Sequence, residues 1–113
     1  MAPALRAAVS AERPVVAIEY CPRCRWLPRA AWLAQELLAT FEAELGGVVL
    51  VPSAEPGAFE VRLDGEILFS RSAACRHADA TELKRLVRDR VAPGRDLGHA
   101  DRAIGPRGPQ GGR

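Results

Sequence analysis

Lysine is almost missing from this chain of 113 residues: Lys84 is the only one among sixteen basic residues, and the other fifteen are arginine. Aromatic residues make up 5% and methionine occurs once. No apolar run approaches the ~20 residues of a membrane helix, which excludes a helical span. The start, Met1-Ala-Pro-Ala-Leu-Arg6, lacks a basic segment followed by a long apolar stretch, so no secretory signal is expected. Cysteines number three, too few and odd in count for a disulfide framework, which points to a reducing, cytoplasmic setting. The net charge of +2 is carried by Arg95, Arg102, Arg107 and Arg113 against Asp96 and Asp101, leaving residues 1–92 neutral. A neutral body lacks the basic stripe that nucleic acid requires. The arginine skew reads as genome composition rather than as function.

What is present is 48% hydrophobic and 27% charged, the make-up of an ordinary folded protein of one domain. Residues 1–13 are alanine-rich without apolar periodicity and read as a flexible leader. Residues 93–113 hold Gly, Pro and Arg but no core and read as a mobile tail. The domain is expected over residues 14–92. Val15-Val-Ala-Ile-Glu-Tyr20 has the β-branched content of a buried strand. It stops at Cys21-Pro22-Arg23-Cys24. Trp26, Ala30, Leu33, Leu37, Phe41 and Leu45 then recur at threes and fours, predicting a helix with Pro28 in its first turns and Gly46-Gly47 as its C-cap. Val48–Val51 reads as a second strand. Alternating runs over 58–63 and 66–70 flank Asp64-Gly65, a hairpin signal. Phe59, Val61 and Leu63 share one face, and Ile67 and Phe69 repeat the apolar phase. After a connector over 71–78, Asp79-Ala-Thr-Glu82 has capping-box spacing ahead of a helix striped by Leu83, Leu86, Val87 and Val91.

The order is β-α-β, then a hairpin, then α. A right-handed crossover makes the first two strands parallel, and a hairpin returning beside the first gives a mixed four-stranded sheet. Both helices then fall on one face. The expected fold is an α/β two-layer sandwich, with Glu19, Glu60, Arg62, Glu66 and Ser70 on the uncovered side.

Cys21-Pro22-Arg23-Cys24 joins the first strand to the first helix, where unpaired N–H groups and the helix dipole favour a thiolate. Arg23 and Arg25 add positive charge. Cys21, at an exposed strand-to-helix corner, is the natural attacking thiol; Cys24, one step inside, would resolve the mixed disulfide. The competing reading is half of a zinc site, completed by Cys75 and His77 as a Cys₃His set. Strand four lies two places from strand one, so that loop would have to fold inward.

Glu19-Tyr20-Cys21-x-x-Cys24, Pro28 four residues beyond, and Gly57-x-Phe59-Glu60-Val61 resemble the selenoprotein W-like family (the SelT/SelW/SelH or Rdx group). Its short bacterial members are similar at Cys24-Arg-Trp26, Ala31-Trp-Leu-Ala-Gln-Glu-Leu-Leu38 and Phe59-Glu-Val-Arg-Leu-Asp-Gly65. Leu97-Gly-His-Ala-Asp-Arg102 is similar to their tail, so the match spans about residues 14–102. The resemblance implies a thioredoxin-like fold. It also implies a thiol redox role with glutathione or protein thiols and disulfides as partners, and without a cofactor. The position matching Cys21 is selenocysteine in the selenoprotein members; cysteine is the weaker nucleophile. Ala73-Ala-Cys-Arg-His77 departs from a pattern of a polar, Gly-containing loop followed by an aromatic. Cys75 therefore reads as a surface or half-buried thiol, and His77 as a loop or helix-entry histidine.

In a thioredoxin-like arrangement the start of strand three faces the motif, which makes Pro56 and Gly57 candidate substrate-binding residues. Thioredoxins place a cis-proline there; Pro56 is close, with Gly57 intervening. Trp26, two residues past Cys24, is a third candidate, either shielding the disulfide or packing on the first turn. Trp32 reads as core or helix-surface packing. Three functions are compatible with these features: a thiol–disulfide redox protein, a non-enzymatic module docking a protein on its open sheet face, and a zinc protein.

Overall fold

The computed structural model describes residues 13–98. Residues 1–12 of the expected leader, and the tail from His99 onward, lie outside the described residues; Arg13 is described and donates to the Glu42 and Ala43 carbonyls. Seven elements occur in order: β1 (Val15–Tyr20), α1 (Leu27–Phe41), β2 (Gly47–Pro52), β3 (Phe59–Leu63), β4 (Glu66–Ser70), α2 (Arg71–Ala74) and α3 (Ala80–Val91). The sheet order is β2-β1-β3-β4, with β1 parallel to β2 and antiparallel to β3, and β3 antiparallel to β4. This is the mixed four-stranded sandwich expected from the sequence, with α2 an added short helical turn inside the connector.

Alternation fixes which side of the sheet is covered. Val16, Ile18 and Tyr20 of β1 and Phe59, Val61 and Leu63 of β3 are buried in one cluster with Leu33, Leu37 and Phe41 of α1 and Leu83 and Val87 of α3. Both long helices therefore lie on one face, and burial of each such side chain contributes about 1.5–3 kcal/mol. On the other face Glu19 and Glu60 stand opposite each other in the β1–β3 ladder, and the Arg62 guanidinium bonds both carboxylates.

The Asp64-Gly65 turn has positive φ at both residues (48° and 91°), as a type I′ hairpin requires. It is tied to the start of β1, because the Asp64 carboxylate accepts from the Val15 N–H at 2.9 Å. The Asp79 side chain caps α3 by accepting from the Glu82 N–H at 2.8 Å. The Glu82 carboxylate, the other half of an expected capping box, instead takes both arms of Arg76 at 2.8 Å.

Three expectations need correction. First, α1 ends at Phe41, and Gly46-Gly47 is not its C-cap: the N–H groups of Glu44 and Leu45 close on the Phe41 carbonyl, and the Gly46 N–H goes to the Pro14 carbonyl at 2.8 Å. Second, Ile67 does not share the apolar phase. The ladder pairs Val61 with Phe69 but Arg62 with Ile67, so Leu68 is an extra residue in a β-bulge. Ile67 turns to the open face at 52% exposure, while Phe69 is buried and Leu68 packs against the core. Third, the bulge also takes Glu66 off the open face, and its carboxylate bonds Arg90 of α3 at 2.8 Å.

The chain beyond residue 92 is in contact with the body as far as it is described. Arg95 bonds Glu44 at 3.2 Å and lies 5.3 Å over the Phe41 ring, and Leu97 packs against the core.

Candidate functional site

Cys21 directly follows β1, and residues 22–25 form a hydrogen-bonded turn before α1 begins at Leu27. The Arg25 N–H bonds the Pro22 carbonyl at 3.0 Å, and the Trp26 N–H reaches the Cys21 carbonyl at 3.5 Å. Arg25 adopts φ +63°, a left-handed conformation that reverses the chain between motif and helix. Cys24 is therefore in a turn ahead of the helix rather than inside its first turn, as the sequence suggested.

The sulfurs of Cys21 and Cys24 are 2.6 Å apart, and the Cys24 thiol donates to Cys21. That hydrogen bond is the main reason the Cys21 pKa lies below the ordinary thiol value; N–H groups of Gly57, Cys24 and Arg23 add to it against a cost from burial. The same hydrogen bond, with burial, raises the Cys24 thiol. The pair thus loses its first proton at Cys21. The helix-terminus effect expected from the sequence is supplied here by turn N–H groups and by Gly57. Exposure runs the other way: Cys21 is 1% exposed and Cys24 is half-buried. Cys21 does not stand at an open corner.

Gly57 owes its place to its own turn. Pro56 and Gly57 are the central residues of a β-turn in which the Ala58 N–H bonds the Glu55 carbonyl at 3.2 Å, and Gly57 has φ +76°. Proline followed by a residue of positive φ is the type II pattern. No cis peptide bond occurs among the described residues, so Pro56 is trans and exposed. Its role is to set the turn that aims Gly57 at the thiols, and the analogy to a cis-proline fails.

Trp26 anchors an aromatic group beside the motif. Its ring is edge-on to Phe59 at 6.3 Å and to His77 at 4.6 Å, and Phe59 and His77 are 5.5 Å apart. The Arg71 guanidinium lies 4.9 Å above the Trp26 ring. Burial, then the charges of Arg29 and Arg71, hold His77 below the ordinary histidine pKa. Sequence reasoning placed His77 as a ligand or a loop residue and missed both this packing and Arg71. The only prior signal was the His77 position at a helix entry.

The zinc arrangement is not formed. Among the described residues no three His, Cys, Asp or Glu side chains are grouped to hold a metal. Cys75 is exposed in a left-handed cap of α2 (φ +59°), with its thiol directed to the Ser72 carbonyl, while His77 packs between two aromatic rings.

A model of the Rdx family matches residues 15–89, most of the described chain and all of the site. The chain belongs to the Rdx family. The crystal structure of a protein from Bordetella parapertussis superposes on this Rdx protein with a TM-score of 0.67 at 47% identity, covering 69% of this chain and 98% of that one. A selenoprotein W-related protein from Vibrio cholerae gives 0.68 at 38% identity, covering 71% and 99%. A search of curated proteins finds no match. Membership of the Rdx family gives the chain a redox-type function. No helix among the described residues is long and apolar enough to cross a membrane.

Proposed function

We propose that this Rdx protein exchanges thiols and disulfides through Cys21 and Cys24, with glutathione or protein thiols as partners in a reducing cytosol. The observation that carries the reading is the approach of the Cys24 and Cys21 sulfurs to 2.6 Å, with one thiol lowered and the other raised. The Cys21 thiolate attacks a disulfide R–S–S–R′, forming Cys21–S–S–R and releasing R′S⁻. Cys24 then loses its proton to solvent and attacks the Cys21 sulfur, forming the Cys21–Cys24 disulfide and releasing RS⁻. The substrate disulfide is reduced by two electrons and the pair is oxidised by two. Because Cys21 is buried, its cover moves aside to admit the substrate. Trp26 shields the bond once formed.

Trapping with oxidised glutathione tests the roles. Cys24→Ser should accumulate a mixed disulfide on Cys21, the native protein should form the Cys21–Cys24 disulfide, and Cys21→Ser should react far more slowly. A native protein that forms no internal disulfide refutes the exchange reading. Equal trapping on Cys24 in Cys21→Ser reverses the roles.

A second reading, docking of a protein partner on the open sheet face, is favoured by the exposure of Val49 (48%) and Ile67 (52%) there. A Cys21→Ser/Cys24→Ser variant that keeps its cellular phenotype supports it against exchange.

A further inference from the structure

Elsewhere on the molecule most cations are matched by acids; Arg13, which bonds the Glu42 and Ala43 carbonyls, and Arg85, whose Nε is buried without a partner, are the exceptions among the described residues. Arg62 bonds Glu19 and Glu60, Arg76 bonds Glu82, Lys84 bonds Glu36, Arg90 bonds Glu66 and Arg95 bonds Glu44. The cations around the thiols are different. Arg23, Arg25, Arg29 and Arg71 form no ion pair with a carboxylate among the described residues. The neutral total therefore hides a segregated charge, with unmatched guanidinium groups gathered at the redox end.

Arg71 is the best placed of them. Its guanidinium lies over the Trp26 ring, its charge acts on the Cys24 thiol and on His77, and its Nε is buried without a hydrogen-bond partner. The charge of Arg29 also acts on the His77 ring. His77 cannot neutralise them: it carries no negative charge, and its Nδ1 is buried and unpartnered. The loop facing the motif, residues 53–58, contributes one acid, Glu55, which is exposed and bonded to neither arginine. A planar guanidinium fork is suited to a carboxylate held by two parallel bonds, and the Arg71 Nε, though buried, lacks an acceptor.

We infer that Arg71, seconded by Arg29, recognises an anion at the thiol site, and that the disulfides exchanged there carry a carboxylate near sulfur. This rests on the exchange reading and adds the class of substrate. Trp26 supplies the flat face along which the chain between sulfur and carboxylate lies. A carboxylate docked on Arg71 also supplies the acceptor that its Nε lacks and offsets the excess positive charge.

Three small symmetrical disulfides separate charge from size: dithiodiglycolate (anionic), 2-hydroxyethyl disulfide (neutral) and cystamine (cationic). Each rate with the reduced protein is divided by the rate of 2-mercaptoethanol with the same disulfide. The anionic compound should then react about fivefold faster than the neutral one, the worth of one partly screened ion pair. Cystamine should be slowest, and high salt should compress the series. Arg71→Gln should abolish the order and Arg71→Lys should retain it in part. Equal normalised rates in the native protein, or an order unchanged in Arg71→Gln, overturn the inference.

Succinate, which has no sulfur, reads the anion site without exchange. It should shift the His77 and Trp26 ring resonances in the native protein and in Cys21→Ser/Cys24→Ser, but not in Arg71→Gln. Succinate binding in a protein inert to every disulfide upholds the anion site while the exchange reading falls. Absence of both binding and charge order removes the anion site itself.

Discussion

The backbone N–H of Gly57 lowers the pKa of the Cys21 thiol, so a loop between β2 and β3 helps to set the acidity of a thiol at the end of β1. The effect depends on φ +76° at Gly57, a conformation that side chains rarely adopt. A Cβ placed there would meet no atom within 4 Å, so an alanine is strained by backbone conformation and not by a clash. Gly57→Ala should therefore cost about 1 kcal/mol of stability. It should also raise the Cys21 pKa as the turn shifts. The pH dependence of iodoacetamide alkylation, read at Cys21 by mass spectrometry, measures the second effect; an unmoved profile would show that Gly57 contributes only to the turn.

His77 gives the fold a pH dependence of known sign. Burial first, and then Arg29 and Arg71, depress its pKa below that of the unfolded chain, near 6.5. The unfolded state thus binds the proton more readily, and stability is fully present above about pH 6.5 and is lost as pH falls through the folded value. Urea unfolding at pH 7.5 and 5.5 should show the native protein weakening more than His77→Gln. Trp26 emission should change over the same range, since the His77 ring is 4.6 Å from it.

Arg62 holds two like charges together on the open face. Glu19 is kept below the usual carboxylate range by hydrogen bonds from Arg62 and then Ser53. That contribution is present above the unfolded carboxylate value, about 4.3, and is lost as pH falls through the lower folded one. Arg62→Met leaves Glu19 and Glu60 opposed across the ladder and should cost about 1 kcal/mol at pH 7. The penalty should shrink below pH 4, as Glu19 protonates. Chemical denaturation across that range checks both signs.

The two apolar residues of β4 should respond in opposite ways. Ile67→Thr, on the open face, should change stability by no more than about 0.5 kcal/mol, whereas Phe69→Ala should cost about 3–5 kcal/mol. Comparable losses at both positions would place Ile67 in the core after all.

Ile67 also marks where the sequence stopped being legible. Strand and helix order, the parallel pair and the Asp64-Gly65 hairpin follow from local signals: β-branched runs, a helical stripe and a turn dipeptide. The Cys21 and Cys24 pair was legible too, because its spacing and its place after a strand are both written locally. A bulge has no such signature, since Leu68 is apolar in either phase. Likewise nothing near Arg71 or His77 announces that they meet Trp26; that meeting depends on how the connector crosses the end of the sheet. Burial of Cys21 is likewise not written in its neighbours along the chain.

The extra residue at Leu68 has a consequence for any attempt to shorten or transplant the hairpin. Side chains along a strand alternate, so deleting Leu68 would regularise the ladder while Phe69 stays opposite Val61 and Ser70 opposite Glu60, each on its present side. Ser70, which caps α2, and Arg71 immediately after it would still be delivered to Trp26, whereas a residue deleted or added beyond Phe69 would change their register. Deletion of Leu68 should therefore cost the core contact of its side chain and spare the thiol site, so the bulge is a spacer that the site can do without.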